Sequence, residues 1–367
     1  MVEQVDERFF WIWLSQIPGI GARRFHLLME HFGSASQVWL ASTNQLVELT
    51  SSLGNNVVHE IINQRNDKTL DRIKRMMDSP DFRIITLLDD EYPILLKEIY
   101  DPPPVLYCKG LPIKNNQAAL SIVGSRRSTA YGRQMAEKFS YELATAGITV
   151  VSGLARGIDA MAHYGALKAE GNTVGVLGCG IDIIYPPENK KLFKRMEQEG
   201  TIITEYPPGS SPVAGNFPAR NRIISGMTSG VLVIEAGERS GALITVDFAL
   251  EQGRDVYALP GNINVPQSAG TNKLLKEGAK LVTDVQDILE DLGLEQEKDK
   301  KDPIPVQLDF FETQVYNALE EGERHLEELL KETKMDIHKL NAVLTMLEVK
   351  GIVKQMPGKI FIRNWDA

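Results

Sequence analysis

Six short segments between residues 124 and 262 put small or cationic groups where an apolar run hands over to a helical one. They are Gly124-Ser125-Arg126-Arg127, Ser152-Gly153-Leu154-Ala155-Arg156-Gly157-Ile158-Asp159, Gly178-Cys179-Gly180, Phe217-Pro218-Ala219-Arg220-Asn221-Arg222, Glu235-Ala236-Gly237-Glu238-Arg239-Ser240-Gly241 and Leu259-Pro260-Gly261-Asn262. The apolar runs beside them are Ala119–Val123, Ile148–Val151, Thr173–Leu177, Thr201–Thr204, Val231–Ile234 and Val256–Leu259, separated by stretches of helical spacing. Short strands alternating with helices predict an α/β domain whose mostly parallel sheet is covered on both faces. In such an open sheet the handover points share one edge, where ligands bind. Four of the six segments carry arginine, so this edge is expected to favour a polyanion.

The chain has 367 residues, enough for two or three domains. It contains no run of about 18 apolar residues, so no membrane span is expected. Met1 to Arg8 is acidic and leads into an aromatic run, unlike a signal peptide. Two cysteines, Cys108 and Cys179, point to a reducing compartment, and a cytoplasmic location is expected. The net charge of −9 argues against indiscriminate nucleic-acid binding. Yet Leu111 to Ser240 holds 14 Lys+Arg against 11 Asp+Glu, a basic stretch in an acidic protein.

Four regions follow. Residues 1–80 read as helices with short loops. Asp89-Asp90-Glu91-Tyr92-Pro93 and Asp101-Pro102-Pro103-Pro104 then break helicity, because proline removes a donor and restricts its predecessor. Residues 81–294 carry the extended, Rossmann-like sheet. Residues 295–305, rich in Glu, Lys, Asp and Pro, read as a linker. Residues 306–367 show helical spacing over Glu312–Leu319, Leu326–Glu332 and Ile337–Val349, then a β-hairpin around Pro357-Gly358. Three helices and a hairpin predict a winged-helix-like domain. From Val306 acids outnumber bases 11 to 8, so a protein-binding or regulatory role is expected of it rather than strong duplex reading.

Near the N-terminus, Ile17-Pro18-Gly19-Ile20-Gly21 resembles the turn of the helix-hairpin-helix (SAM-like) fold, with Gly19 and Gly21 expected to relieve a tight turn. Such a turn offers amides to a DNA phosphate or simply packs a small helical domain. Leu49 to Arg65 reads as a degraded second copy.

At the sheet edge, Gly124 permits close backbone approach, Ser125 and Ser128 can cap, and Arg126 and Arg127 offer forked donors to phosphate. Ser152, Gly153 and Arg156 repeat the device after the next strand. Asp159 favours the start of the following helix or holds Arg156, and His163 reads as structural. Gly178-Cys179-Gly180 fails the dinucleotide fingerprint for want of a third glycine. Phe217 precedes Arg220, Asn221 and Arg222, a ring for a base beside guanidinium groups for a backbone, which suits a single strand. Ser240 and Gly241 open a further helix whose amides can hold an anion. Glu235, at a strand end, can orient an arginine, contact a sugar or close a salt bridge. No metal-ligand spacing, Walker loop or catalytic triad is present, so no metal, cofactor or catalytic residue is expected.

Together, the Gly-Ser-Arg corner, Ser-Gly-Leu-Ala-Arg-Gly-Ile-Asp, Phe-Pro-Ala-Arg-Asn-Arg-Ile-Ile-Ser-Gly, Glu-Ala-Gly-Glu-Arg-Ser-Gly-Ala-Leu-Ile-Thr and Leu-Pro-Gly-Asn make the chain similar to the DNA-processing protein A (DprA/Smf) family. The resemblance implies a non-enzymatic protein that binds and protects single-stranded DNA and helps load the RecA recombinase during natural transformation. It implies DNA contacts on Ser125, Arg126, Arg127, Arg156, Phe217, Arg220 and Arg222. It also implies RecA, single-stranded-DNA-binding protein and a second copy of the chain as partners. Ile263, Val265, Leu274 and Leu275 could form the apolar patch of that homodimer, or core. The alternative is an enzyme resembling nucleotide phosphoribohydrolases, with Glu235 and Arg126 or Arg222 at the ribose–base bond. There, however, Glu235-Ala236-Gly237-Glu238 replaces the expected Pro-Gly-Gly signature. A duplex-binding regulator acting through the winged helix is a third possibility.

Overall fold

The computed structural model describes residues 6–294, 308–319, 322–356 and 358–363. The linker expected at 295–305 and Pro357 of the hairpin turn lie outside the described residues. The chain divides into two compact units, Met1–Glu295 and Gln296–Ala367.

The first unit is built on nine strands: β1 Arg83–Thr86, β2 Val105–Gly110, β3 Ala119–Gly124, β4 Thr149–Ser152, β5 Thr173–Val176, β6 Thr201–Thr204, β7 Gly230–Glu235, β8 Asp255–Ala258 and β9 Lys280–Leu281. Their order is β1-β2-β6-β5-β4-β3-β7-β8-β9. From β6 to β9 every neighbour pair is parallel, and β2 and β1 join antiparallel at one edge. All six apolar runs of the sequence are strands of this sheet. Alternate residues explain its two covered faces. Leu120, Ile122 and Val150 pack with Phe139, Leu143 and Ile158 from helices Ala130–Thr145 and Ile158–Lys168. Val123 and Val151 face the other way, toward Ile223, Ile224 and Val246 from helices Asn216–Gly226 and Ala242–Glu251. The crossover from β3 runs over the first face and the crossover from β7 over the second. Strand order therefore reverses between β3 and β7, and the crevice at their carboxyl ends is the place for a ligand.

The sequence separates residues 1–80 from the sheet. In the structure the helices there share one hydrophobic core with it, where Trp13, Leu14 and Phe25 meet Tyr107, Met196 and Ile202. In the hairpin between helices Glu7–Ser15 and Ala22–Phe32, Gly19 has φ +85° and a β-carbon there would lie 2.9 Å from Val57 Cγ2. Gly21 behaves differently from expectation: its φ is −95° and a β-carbon would meet nothing within 4 Å. Only Gly19 needs to be glycine for the turn itself. No helix of the described residues is long and apolar enough to cross a membrane.

In the second unit, helices Phe310–Ala318, Leu326–Thr333 and Ile337–Val349 surround Val315, Leu329, Leu344 and Leu347. A three-stranded sheet completes the winged helix in the order β10-β12-β11, with β10 Arg324–His325, β11 Val353–Met356 and β12 Ile360–Arg363. The two-residue β10 is too short to show in the sequence pattern.

Candidate nucleic-acid interface

A cleft of about 770 Å³ opens over the carboxyl ends of β3 and β7. Its floor begins at Gly124, where a β-carbon would lie 2.6 Å from Ile158 Cγ1 and 2.8 Å from the Glu235 carbonyl oxygen. The Ser125 amide donates to that carbonyl at 2.7 Å, and Ser125 Oγ accepts from the Arg127 amide at 3.1 Å. Thr129 caps the next helix by accepting from the Gly132 amide. Thr129 is itself held by the Glu235 carboxylate, which accepts from its amide at 2.8 Å and its hydroxyl at 2.7 Å. Glu235, 3% exposed, thus straps the loop that carries Arg126 and Arg127 into solvent.

The cleft wall is aromatic. The Arg126 guanidinium sits 5.6 Å above the Phe217 ring, and Tyr185 lies 5.1 Å from the same ring at 36°. Gly178 makes room for them, since a β-carbon there would be 2.9 Å from Phe217 Cδ1. Of the glycines that fail as a dinucleotide fingerprint, Gly178 thus serves ring packing, while Gly180 makes room for the Pro207 carbonyl and the Gly209 amide. Asn221, Ser240 and Gly241 line the far side, joined by Arg239. Arg156 lines an adjoining recess of about 240 Å³ and meets Glu188 at 2.6 Å, both side chains exposed.

Other expected contacts lie beneath this surface. Ser152 is fully buried and donates to the Ile122 carbonyl at 2.6 Å. Arg220 is 3% exposed and donates to the carbonyls of Gly153, at 2.8 Å, and Val176, tying the ends of β4 and β5 together. Gly153 is obligatory there, because a β-carbon would lie 2.5 Å from Arg220 Nη2. Burial pulls the Arg220 guanidinium down to about 10, so it stays charged near neutrality. Burial pushes the Asp159 carboxyl up, and Arg220 is the largest influence opposing it. His163 accepts or donates at 2.7 Å to Thr173 Oγ1, and burial drops it to about 3, which keeps it neutral. Arg222 does not reach this cleft. It turns to Asp101 at 3.3 Å and Glu205 at 2.7 Å on the other side of helix Asn216–Gly226. Burial lowers its guanidinium, but those two carboxylates outweigh that and hold it above its ordinary value. Of the expected dimer residues, Ile263 is 89% exposed, whereas Leu274 packs partly against the core and Leu275 is half-buried.

Tyr185 and Arg239 are the site residues that sequence reasoning left out. Arg239 sits inside a quoted handover segment. Tyr185 carries the weaker signal of an aromatic before two prolines in a post-strand loop, easily taken for a plain turn.

Because the Glu235 carboxylate closes two charge-assisted hydrogen bonds, Glu235→Ala is expected to lower the unfolding free energy by about 3 kcal/mol. Oligonucleotide binding should weaken with it, while Arg127→Ala weakens binding alone. Urea titration of both variants checks this; an unchanged midpoint for Glu235→Ala removes the strap.

Residues 83–293 match the DNA recombination-mediator protein A family, and residues 299–359 match the DprA winged helix domain. A Synechocystis protein Smf is 36% identical over 98% of this chain and 99% of its own. The crystal structure of DNA processing protein A from Streptococcus pneumoniae is similar at a TM-score of 0.68 and 35% identity, covering 77% of this chain and 97% of that one. DNA processing protein A from Helicobacter pylori, whose structure was described for its single-stranded DNA binding mode, has a TM-score of 0.51 and 32% identity over 57% of this chain and 96% of its own.

Proposed function

This chain belongs to the DNA recombination-mediator protein A family, and from that premise we propose that it binds single-stranded DNA along the carboxyl edge of its sheet as a mediator of recombination. The observation that carries the reading is the pairing of exposed guanidinium groups with an aromatic wall in one open cleft: Arg126, Arg127 and Arg239 beside Phe217 and Tyr185. A mononucleotide pocket needs no open track. A strand does, and stacking on a ring accepts any base, so binding should be insensitive to sequence. The similarity to the Helicobacter pylori protein supports the same ligand.

Protecting incoming DNA and delivering it to a RecA-type recombinase fit this reading, because a strand held by its backbone on an open edge stays accessible from one side. A homodimer would place two such edges together, with Ile263 as its most exposed apolar side chain. The phosphoribohydrolase alternative assigns chemistry to Glu235, whose carboxylate is buried and spent on Thr129. The winged helix does not favour duplex reading, since its third helix exposes a single fixed cation, Lys339, among His338, Asn341, Ala342, Thr345, Met346 and Val349.

Salt-titrated binding of single- and double-stranded oligonucleotides tests the proposal. Single strands should bind more tightly at every salt concentration, and Phe217→Ala should cost about tenfold in affinity with the salt slope retained, since it removes stacking and no phosphate contact. Equal affinity for both forms would sink it.

A further inference from the structure

A second cleft, of about 520 Å³, opens on the same sheet edge, between the N-terminal hairpin and the ends of β6 and β2. Arg23 and Arg24 line it from the hairpin, and Glu205, Tyr206 and Arg222 line it from the sheet. Three observations give it a ligand chemistry. Helix Ala22–Phe32, of 11 residues, starts here at Gly21 with no side chain capping it, and its first turn carries Arg23 and Arg24, both exposed. That combination favours an anion. Arg222 is 7% exposed, and with Nε on Asp101 and Nη2 on Glu205 its buried Nη1 has no hydrogen-bond partner among the described residues. A buried donor left unmade is costly, so an acceptor belongs in the cleft beside it. Finally, Tyr100 is 81% exposed, with the Arg23 guanidinium 4.9 Å from its ring, an aromatic face and a cation at the cleft mouth. The two carboxylates in the cleft, Asp101 and Glu205, are both engaged by Arg222, and Arg24 spends one donor, Nη1, on the Gly19 carbonyl at 2.7 Å, which leaves Arg23 and the other Arg24 donors to face an incoming anion.

The two clefts are neighbours. Helix Asn216–Gly226 separates them, with Pro218 lining the first and Ala219 the second. Along the sheet, the β3/β7 crevice and the β6/β2 crevice are four strand spacings apart, about 19 Å. At stacked spacing that is the reach of about six nucleotides.

We propose that the second cleft binds the continuation of the same single strand, with Arg23, Arg24 and the start of helix Ala22–Phe32 taking its phosphates and Tyr100 stacking a base. This rests on the single-strand reading of the first cleft. A strand of four nucleotides fills the first cleft alone, whereas one of twelve reaches both.

The test is titration of the full chain with a tetrathymidylate and a dodecathymidylate. Arg23→Glu/Arg24→Glu is expected to lose about tenfold in affinity for the longer strand, flatten its salt slope by about 1.4, and leave the shorter strand unaffected. Tyr100→Ala should lose about fivefold on the longer strand only, without changing the slope. Both changes are at exposed positions, and thermal unfolding confirms that the variants fold; should the arginine variant be unstable, Tyr100→Ala carries the test alone. Unchanged dodecathymidylate affinity, or an equal loss on both lengths, overturns the second site. A wild-type chain that binds neither strand overturns the first-cleft reading instead.

Discussion

Arg126→Glu/Arg127→Glu is expected to reduce single-strand affinity about a hundredfold and to flatten the dependence on salt by about 1.4 in the log–log slope. Both side chains are exposed, and the loop beneath them is held by other groups: Ser125 by the Glu235 carbonyl and Thr129 by the Glu235 carboxylate. Removing the charges therefore leaves the fold standing, and the unfolding midpoint should not move. The slope discriminates between mechanisms. Stacking on Phe217 releases no counterions, so a site governed by the ring would lose affinity at constant slope, while a phosphate site loses both together. A double variant with wild-type affinity and slope would remove the arginine corner from the interface.

Arg220 should behave in the opposite manner. It stands in the same handover segment as Phe217, yet it is 3% exposed and bound to the Gly153 and Val176 carbonyls. Arg220→Met leaves those carbonyls unpaired and strips Asp159, 7% exposed, of its main opposing charge. The expected loss is about 3–5 kcal/mol of stability, with any loss of DNA binding following from it. Arg220→Lys should rescue little, because an ammonium group cannot span two carbonyls with a planar fork. The pH dependence carries a sign. Asp159 already sits above its ordinary value through burial, and it rises further without Arg220. A raised carboxyl favours the folded state when protonated, so the defect should be greatest at neutral and higher pH and shrink as pH falls through the raised value. Adding Asp159→Asn should recover part of the loss at neutral pH, a coupling read from the double-mutant cycle. An Arg220→Met protein that is as stable as wild type but binds DNA poorly would return Arg220 to the surface role that the sequence motif implies.

How much of this was legible beforehand depended on the range of the forces involved. Strands β3 to β8 announce themselves because each contains a short, mostly apolar run that is buried, a property written into consecutive residues. Strands β1 and β9 do not. Arg83–Thr86 follows a loop with no alternation to mark it, and Lys280–Leu281 is two exposed residues that are strand only by pairing with β8. The glycines divide in the same way. Gly19 is needed for its positive φ, a local demand, whereas Gly178 is small because Phe217, almost forty residues later, packs on it.

From the chain alone come the alternation of strand and helix, the shared edge where the strands end, and the concentration of arginine along it, since each follows from local periodicity and residue type. Which arginines face a ligand is a property of the folded molecule. Arg220 and Arg222 are two residues apart on one helix, and helical geometry sends them in different directions. One is drawn under the ends of β4 and β5 by carbonyls, and the other toward the hairpin by Asp101 and Glu205, which are 121 and 17 residues away. Partners so distant leave no trace in the spacing of the motif. The sheet edge foreseen in the sequence is lined by arginine, but Arg126, Arg127, Arg156 and Arg239 form its surface, while Arg220 holds it up from below.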